Sequence, residues 1–289
     1  MEFRGVYTAL VTPFSNGKVD FGKLKEIVRM QVESGVAGIV PMGTTGESPT
    51  LSPEEHLKVI ETTVGTVKNR CQVIAGTGAN STAEAIELTM NARKVGADAT
   101  LQVTPYYNKP TQEGLYRHFT AVAEQGGLPV VLYNVPGRSV SPIDIDTVKR
   151  LAENPNIVAI KEAGGSVERV SQILDVCDLA VISGDDSLTL PMISVGAQGV
   201  ISVASNMIPQ VMNELVEAAL SGDYAKAQAI HMKYYRLFSD IFIETNPVPI
   251  KAAMAMMGTI EEEYRLPLCP MSQENTQILR ATMQSCGII

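Results

Sequence analysis

Lys161 closes the apolar run Ile157-Val158-Ala159-Ile160, a placement that could do chemistry. A lysine ending a buried strand opens into a mouth where lost hydration disfavours the ammonium form. The neutral amine is the nucleophile that attacks a ketone and forms an imine. A side chain that snorkels to solvent or pairs with the adjacent Glu162 is the competing reading. Lys109, in a proline-flanked loop, and Lys251, in the C-terminal part, are weaker candidates. Gly43-Thr44-Thr45-Gly46-Glu47 brings two hydroxyls and several backbone N–H groups into one turn, suited to a carboxylate or phosphate. A plain strand-to-helix turn competes with that, and the GxxxxGK[ST] pattern is absent. Gly76-Thr77-Gly78 reads as a tight turn. Tyr107 and Tyr133 can move protons if held near a carbonyl, or they are simple packing. Arg138 has the fork geometry for a carboxylate. Asp185-Asp186 reads as a structural turn with helix capping before Leu188 rather than a magnesium site. His56, His118 and His231 are scattered, as are Cys71, Cys177, Cys269 and Cys286, so neither a metal nor a disulfide framework is expected.

These residues need elements to carry them. Short apolar runs recur at Gly5–Leu10, Gly38–Pro41, Gln72–Ala75, Ala99–Val103, Val130–Tyr133, Val158–Lys161, Ala180–Ser183 and Gly199–Val203. Their nearly continuous apolar character fits parallel strands buried on both faces. Amphipathic stretches separate them and carry helix starts: Ser52-Pro53-Glu54-Glu55 and Ser81-Thr82-Ala83-Glu84 are capping-box patterns, and Gly96 is a stop. The alternation predicts an α/β fold, a (β/α)8 TIM barrel, over an open doubly wound sheet. The repeat ends near Gly222, giving a barrel over 1–222 and a helical extension over 223–289. Three further helical patterns, about Asp223–Ile243, Val248–Met257 and Ser272–Gln284, are set off by Asn246-Pro247-Val248-Pro249 and Leu266-Pro267-Leu268-Cys269-Pro270. In such a barrel the site lies at the C-terminal strand ends, which is where the polar residues above fall.

The 31 acids and 23 bases leave a formal charge of −8, and no basic run reads as a nucleic-acid patch. No apolar stretch reaches the ~18–20 residues of a membrane span. The N-terminal residues lack the basic and apolar regions of a secretory signal, so a cytoplasmic protein is expected.

The segments Gly38-Ile39-Val40-Pro41-Met42-Gly43-Thr44-Thr45-Gly46-Glu47 and Tyr133-Asn134-Val135-Pro136-Gly137-Arg138-Ser139, with Lys161 ending the next strand, resemble the two signatures of the pyruvate-dependent class I aldolases. The likeness extends over essentially the whole chain, including Asn246-Pro247-Val248-Pro249-Ile250-Lys251. It implies a lyase that holds pyruvate as a Schiff base on Lys161. The paired threonines and Arg138 favour the member that adds pyruvate to aspartate-4-semialdehyde, at the entry to diaminopimelate and lysine biosynthesis. A sister enzyme acting on N-acetylneuraminate or a 2-keto-3-deoxy sugar acid is the alternative, and polar residues at Asp185, Ser187, Ser202, Ser205 and Asn206 leave it open. A non-catalytic regulatory barrel is the other-class alternative. By the same resemblance Thr44, Tyr107 and Tyr133 form a proton relay, with Tyr107 lent by a neighbouring subunit. Thr45 meets the pyruvate carboxylate. Arg138 grips the semialdehyde carboxylate and supports Tyr133. Gly184 and Ile201 offer main-chain contacts. A homotetramer built as a dimer of dimers is implied, with no metal or organic cofactor. His56, Gly78, Asn80, Glu84 and Tyr106 match a regulatory lysine site, from which Pro49 and Pro53 are departures.

Overall fold

The computed structural model describes residues 2–289. Eight parallel strands close into one barrel: β1 (Gly5–Ala9), β2 (Gly38–Val40), β3 (Gln72–Gly76), β4 (Ala99–Val103), β5 (Val130–Asn134), β6 (Ile157–Glu162), β7 (Ala180–Ser183) and β8 (Gly199–Ser202). Each strand pairs with its sequence neighbour, and β1 closes the ring against β8 with Tyr7 opposite Ile201. The expected strands lie within a residue of these bounds. Nearly every strand position is buried, because side chains meet other strands on the inner face and helices on the outer one.

The helices follow their local signals. Ser52 starts Pro53–Val67 with a complete capping box: its hydroxyl accepts from the Glu55 N–H at 3.2 Å, and the Glu55 carboxylate accepts from the Ser52 N–H at 3.1 Å. Ser81 caps Thr82–Lys94 from one side only, since just its hydroxyl takes part. Gly96, at φ +91°, lets the chain leave that helix. Leu24, Ile27 and Val28 bury the inner stripe of Phe21–Glu33, at about 1.5–3 kcal/mol for each large side chain.

Beyond Gly222 run the helices Tyr224–Asp240, Val248–Met256 and Gln273–Ser285. They pack on the barrel and also reach the strand ends. Lys251 is fully buried in an ion pair with the equally buried Glu47 of the Gly43–Glu47 turn. Among the described residues, no helix is long and apolar enough to cross a membrane.

One irregularity sets the phase of the reactive strand. Val130 pairs with Ile157, but Val131 pairs with Ala159, so β6 carries one extra residue there. Strand side chains alternate with period 2, and a one-residue shift exchanges the faces. Downstream of the bulge Lys161 stands opposite Tyr133; continued in its initial register, the ladder would set Lys161 opposite Asn134.

Candidate active site

A cavity of about 430 Å³ opens at the C-terminal ends of the strands. Lys161, Tyr133, Thr44, Thr45, Arg138, Gly184 and Ile201 all line it. Lys161 is only 6% exposed, so its amine points into the cavity rather than to bulk water. The nitrogen lies 4.3 Å from the centroid of the Tyr133 ring, a cation–π approach for a protonated amine. Tyr133 is pinned through its carbonyl, which accepts from the Thr104 N–H at 3.0 Å and the Thr104 hydroxyl at 2.9 Å.

Glu162 does not pair with Lys161. It points to the opposite face of β6 and is fully buried against the helices. There it accepts from the Asn134 amide at 2.8 Å, the Arg169 guanidinium at 2.8 Å and the Gly164 N–H at 2.8 Å. This saturated carboxylate fixes the strand ends on which Lys161 and Tyr133 ride.

Two glycines are required by close approach. A Cβ on Gly184 would stand 2.5 Å from the Ala163 Cβ and 3.1 Å from the Lys161 Cε. A Cβ on Gly76 would lie within 2.3 Å of the Met42 carbonyl oxygen, directly beneath the turn carrying Thr44 and Thr45. That turn is a short 3-10 segment closed by bonds from Gly46 N to Gly43 O and from Glu47 N to Thr44 O, at 3.0 and 3.1 Å.

The structure adds residues that sequence reasoning missed. Phe242, Thr245 and Asn246 of the C-terminal extension form part of the cavity wall. The Asn246 side-chain amide donates to the Thr45 hydroxyl at 3.0 Å, and the Asn246 main-chain carbonyl accepts from Arg138 at 3.1 Å. Only distance in the chain hid them; the Asn246-Pro247 kink in an otherwise helical region was the available signal.

Asp185 and Asp186 depart from the expected capping turn, since neither side chain caps the segment before Leu188. Asp185 lines the cavity. Burial pushes its carboxyl up to about 6, opposed by the nearby Lys161 charge. Asp186 is fully buried and accepts from the Ser202 hydroxyl and the Val203 and Ala204 N–H groups, holding the loop after β8. Two adjacent acids therefore serve two places: Asp185 meets the cavity, and Asp186, first residue of the short 3-10 turn Asp186–Leu188, turns into the core.

The sign of the pH effect follows. A carboxyl that titrates near 6 when folded and at 3.8 when free binds more protons in the folded state, so stability falls as pH rises through that interval. Asp185→Asn should flatten that slope. At neutral pH it should add about 1 kcal/mol after allowance for partial exposure and screening, or about 2 °C in Tm. Melting curves across this range check it; a variant that keeps the wild-type slope would assign the slope to another group.

Of the residues a sugar-acid chain would need, Asp185 alone lines the cavity. Ser202 is committed to Asp186, and the Ser205 hydroxyl to the Ser202 carbonyl. Asn206 bonds the Ala9 and Val203 carbonyls and the Val11 N–H.

Tyr107 lies outside the cavity. It is 91% exposed and holds φ +73°, an unusual conformation for a bulky residue. The five residues matched to a lysine site divide between two places. Gly78 and Tyr106 line a second cavity of about 240 Å³, which shares Thr44, Tyr133 and Arg138 with the first. His56 and Glu84 line a separate cleft of about 120 Å³. Asn80 lines neither and donates to the Tyr106 carbonyl at 3.2 Å. The His56 ring bonds the Gly76 carbonyl at 2.9 Å, and burial pushes its pKa down. Among the described residues, no group of three or more His, Cys, Asp or Glu side chains could hold a metal.

The model of the dihydrodipicolinate synthetase family matches residues 2–286. The chain belongs to this family. A relative from Methanocaldococcus jannaschii, named 4-hydroxy-tetrahydrodipicolinate synthase, is 54% identical over 288 residues, covering 99% of this chain and all of that protein. The structure of the 4-hydroxy-tetrahydrodipicolinate synthase from Methylacidiphilum fumariolicum SolV is 51% identical, with a TM-score of 0.98 over 99% of this chain and 96% of that one. The chloride-inhibited dihydrodipicolinate synthase from Acinetobacter baumannii, solved in complex with pyruvate, is 46% identical, with a TM-score of 0.97 over 99% of both chains. Family membership agrees with the barrel.

Proposed function

We infer that this chain is a Schiff-base-forming lyase that condenses pyruvate with L-aspartate-4-semialdehyde to 4-hydroxy-tetrahydrodipicolinate, in diaminopimelate and lysine biosynthesis. The observation that carries the reading is the buried Lys161 amine, set beside the Tyr133 ring in the cavity that the Thr44–Thr45 turn also lines. The amine adds to the pyruvate ketone and expels water, giving an imine. Loss of a methyl proton gives an enamine, whose carbon attacks the aldehyde of the second substrate. The substrate's own amine then displaces Lys161 and closes the ring, regenerating the free lysine.

The roles of the other residues belong to the same proposal. Tyr133 and Thr44 relay protons, and Thr45 with the turn N–H groups holds the pyruvate carboxylate. Arg138 grips the second carboxylate from the cavity rim. Gly184 and Ile201 shape the floor. Tyr107 completes the relay from a neighbouring subunit in a homotetramer, consistent with its exposed, left-handed conformation. The same reading keeps the enzyme in the cytoplasm and leaves Gly78, Asn80, Tyr106, His56 and Glu84 as a regulatory lysine site, reached across that interface. The lysine amine itself serves as electron sink, so the chemistry calls for no metal or organic cofactor.

Reductive trapping tests the central step. Borohydride added with pyruvate should give one stable adduct per chain, and peptide mapping should place it on Lys161. An adduct on another lysine, or none, would reject the imine at this position.

A further inference from the structure

Lys251 has no place in the chemistry above, yet it is the most enclosed cation among the described residues. Its ammonium sits against the Glu47 carboxylate, with both side chains at 0% exposure. It also lies 4.1 Å from the Phe14 ring centroid and 5.3 Å from that of Tyr264. The helix that carries it, Val248–Met256, is otherwise apolar. Burial pushes the Lys251 pKa down, and Glu47 opposes that shift. A buried pair of this kind adds little net stability compared with an apolar one, so stability is a weak reason for it.

What the pair grips is more telling. Glu47 is the last residue of the Gly43–Glu47 turn and holds φ +54°, strained for a non-glycine residue. Its N–H closes the turn onto the Thr44 carbonyl at 3.1 Å. Its other carboxylate oxygen accepts from the Arg265 N–H at 3.2 Å. The Arg265 guanidinium then reaches the Thr50 carbonyl at 3.0 Å and clasps Glu55 at 2.6 and 2.7 Å. The C-terminal extension thus holds both ends of the segment from Glu47 to Glu55. An earlier turn of the same extension, at Asn246, bonds the Thr45 hydroxyl.

We propose that Glu47 and Lys251 are positioning residues for the first substrate: the buried pair holds the Thr44–Thr45 turn in the conformation that binds the pyruvate carboxylate. This rests on the imine reading above. The pair touches no substrate; it acts by holding the turn's N–H groups and hydroxyls at the cavity wall. Misplacement of such groups by about an ångström is enough to cost two orders of magnitude in reactivity.

The test titrates pyruvate in the borohydride trap and compares its half-saturation among variants, alongside KM for the semialdehyde and Tm. Wild type must trap on Lys161; if it does not, the imine reading fails on its own, separately from this proposal. Glu47→Gln/Lys251→Met removes both charges while keeping the volume, so it avoids an orphaned buried charge. It should fold, with pyruvate half-saturation raised about tenfold and the semialdehyde KM within about twofold. Glu47→Asp keeps the charge but shortens the arm, and should raise half-saturation at least about threefold. A purely structural pair would move Tm in either variant and leave pyruvate half-saturation within about twofold of wild type; that result overturns the proposal. If the double variant does not fold, Glu47→Asp decides by the same criterion.

Discussion

Lys161→Ala should lower the pyruvate-dependent condensation rate by at least about a thousandfold while leaving the barrel folded. The size follows from the chemistry. Without the amine there is no imine, and the methyl protons of free pyruvate lose the electron sink that makes them acidic. No second amine stands in: Lys251 is buried against Glu47, and Lys109 is not among the cavity-lining residues. Folding should survive because, among the described residues, the Lys161 amine is held in no ion pair that the fold relies on, and Tyr133 keeps its main-chain carbonyl anchored by Thr104. The Lys161 charge also restrains the Asp185 carboxyl, which burial already pushes up to about 6. In the variant Asp185 should therefore titrate higher still. Rate assays, a thermal melt and an NMR titration of the carboxyl check the three parts. Residual activity above about a hundredth of wild type would mean that the covalent step is not on the path.

Gly184→Ala should damage the site through a single added methyl, costing about a hundredfold in rate. The added Cβ would overlap the Ala163 Cβ at 2.5 Å, and that atom is fixed to the backbone of the adjoining segment. The Lys161 Cε, at 3.1 Å, is the softer neighbour and would give first. Displacing it moves the nucleophilic nitrogen away from the Tyr133 ring. The overpacking itself should destabilise by about 1–3 kcal/mol. A stability loss of that size with full trapping at Lys161 would show that the clash is absorbed by the β7 end instead.

The barrel was legible because its strands are buried on both faces, a condition that only continuous apolar runs satisfy. Each run from Gly5 to Ser202 was therefore placed to within a residue. Ser52 and Glu55 were equally plain, since a capping box is local chemistry. The cavity could be outlined from Lys161, Tyr133, Thr44, Thr45 and Arg138 because strand ends in a closed barrel converge on one face. What escaped depended on distant contacts. Asn246 acquires meaning only when the extension folds back over Thr45 and Arg138. Lys251 looked like an ordinary tail lysine; a lone cation in an apolar helix was the clue that a buried partner was needed. The neighbours Asp185 and Asp186 lie past the end of β7, at the start of a short 3-10 turn, so only the fold shows that one meets the cavity and the other the loop after β8.

The extra residue in β6 between Ile157 and Ala159 matters to a designer. An idealised barrel built with even, unbroken strands would reproduce every side chain of this site and still present isoleucine where the nucleophile belongs. Transplanting the activity to a new scaffold therefore means copying a defect in the weave along with the threads. The same stitch makes this strand intolerant of a single inserted or lost codon upstream of its reactive end, even where bulk hydrophobic content is unchanged.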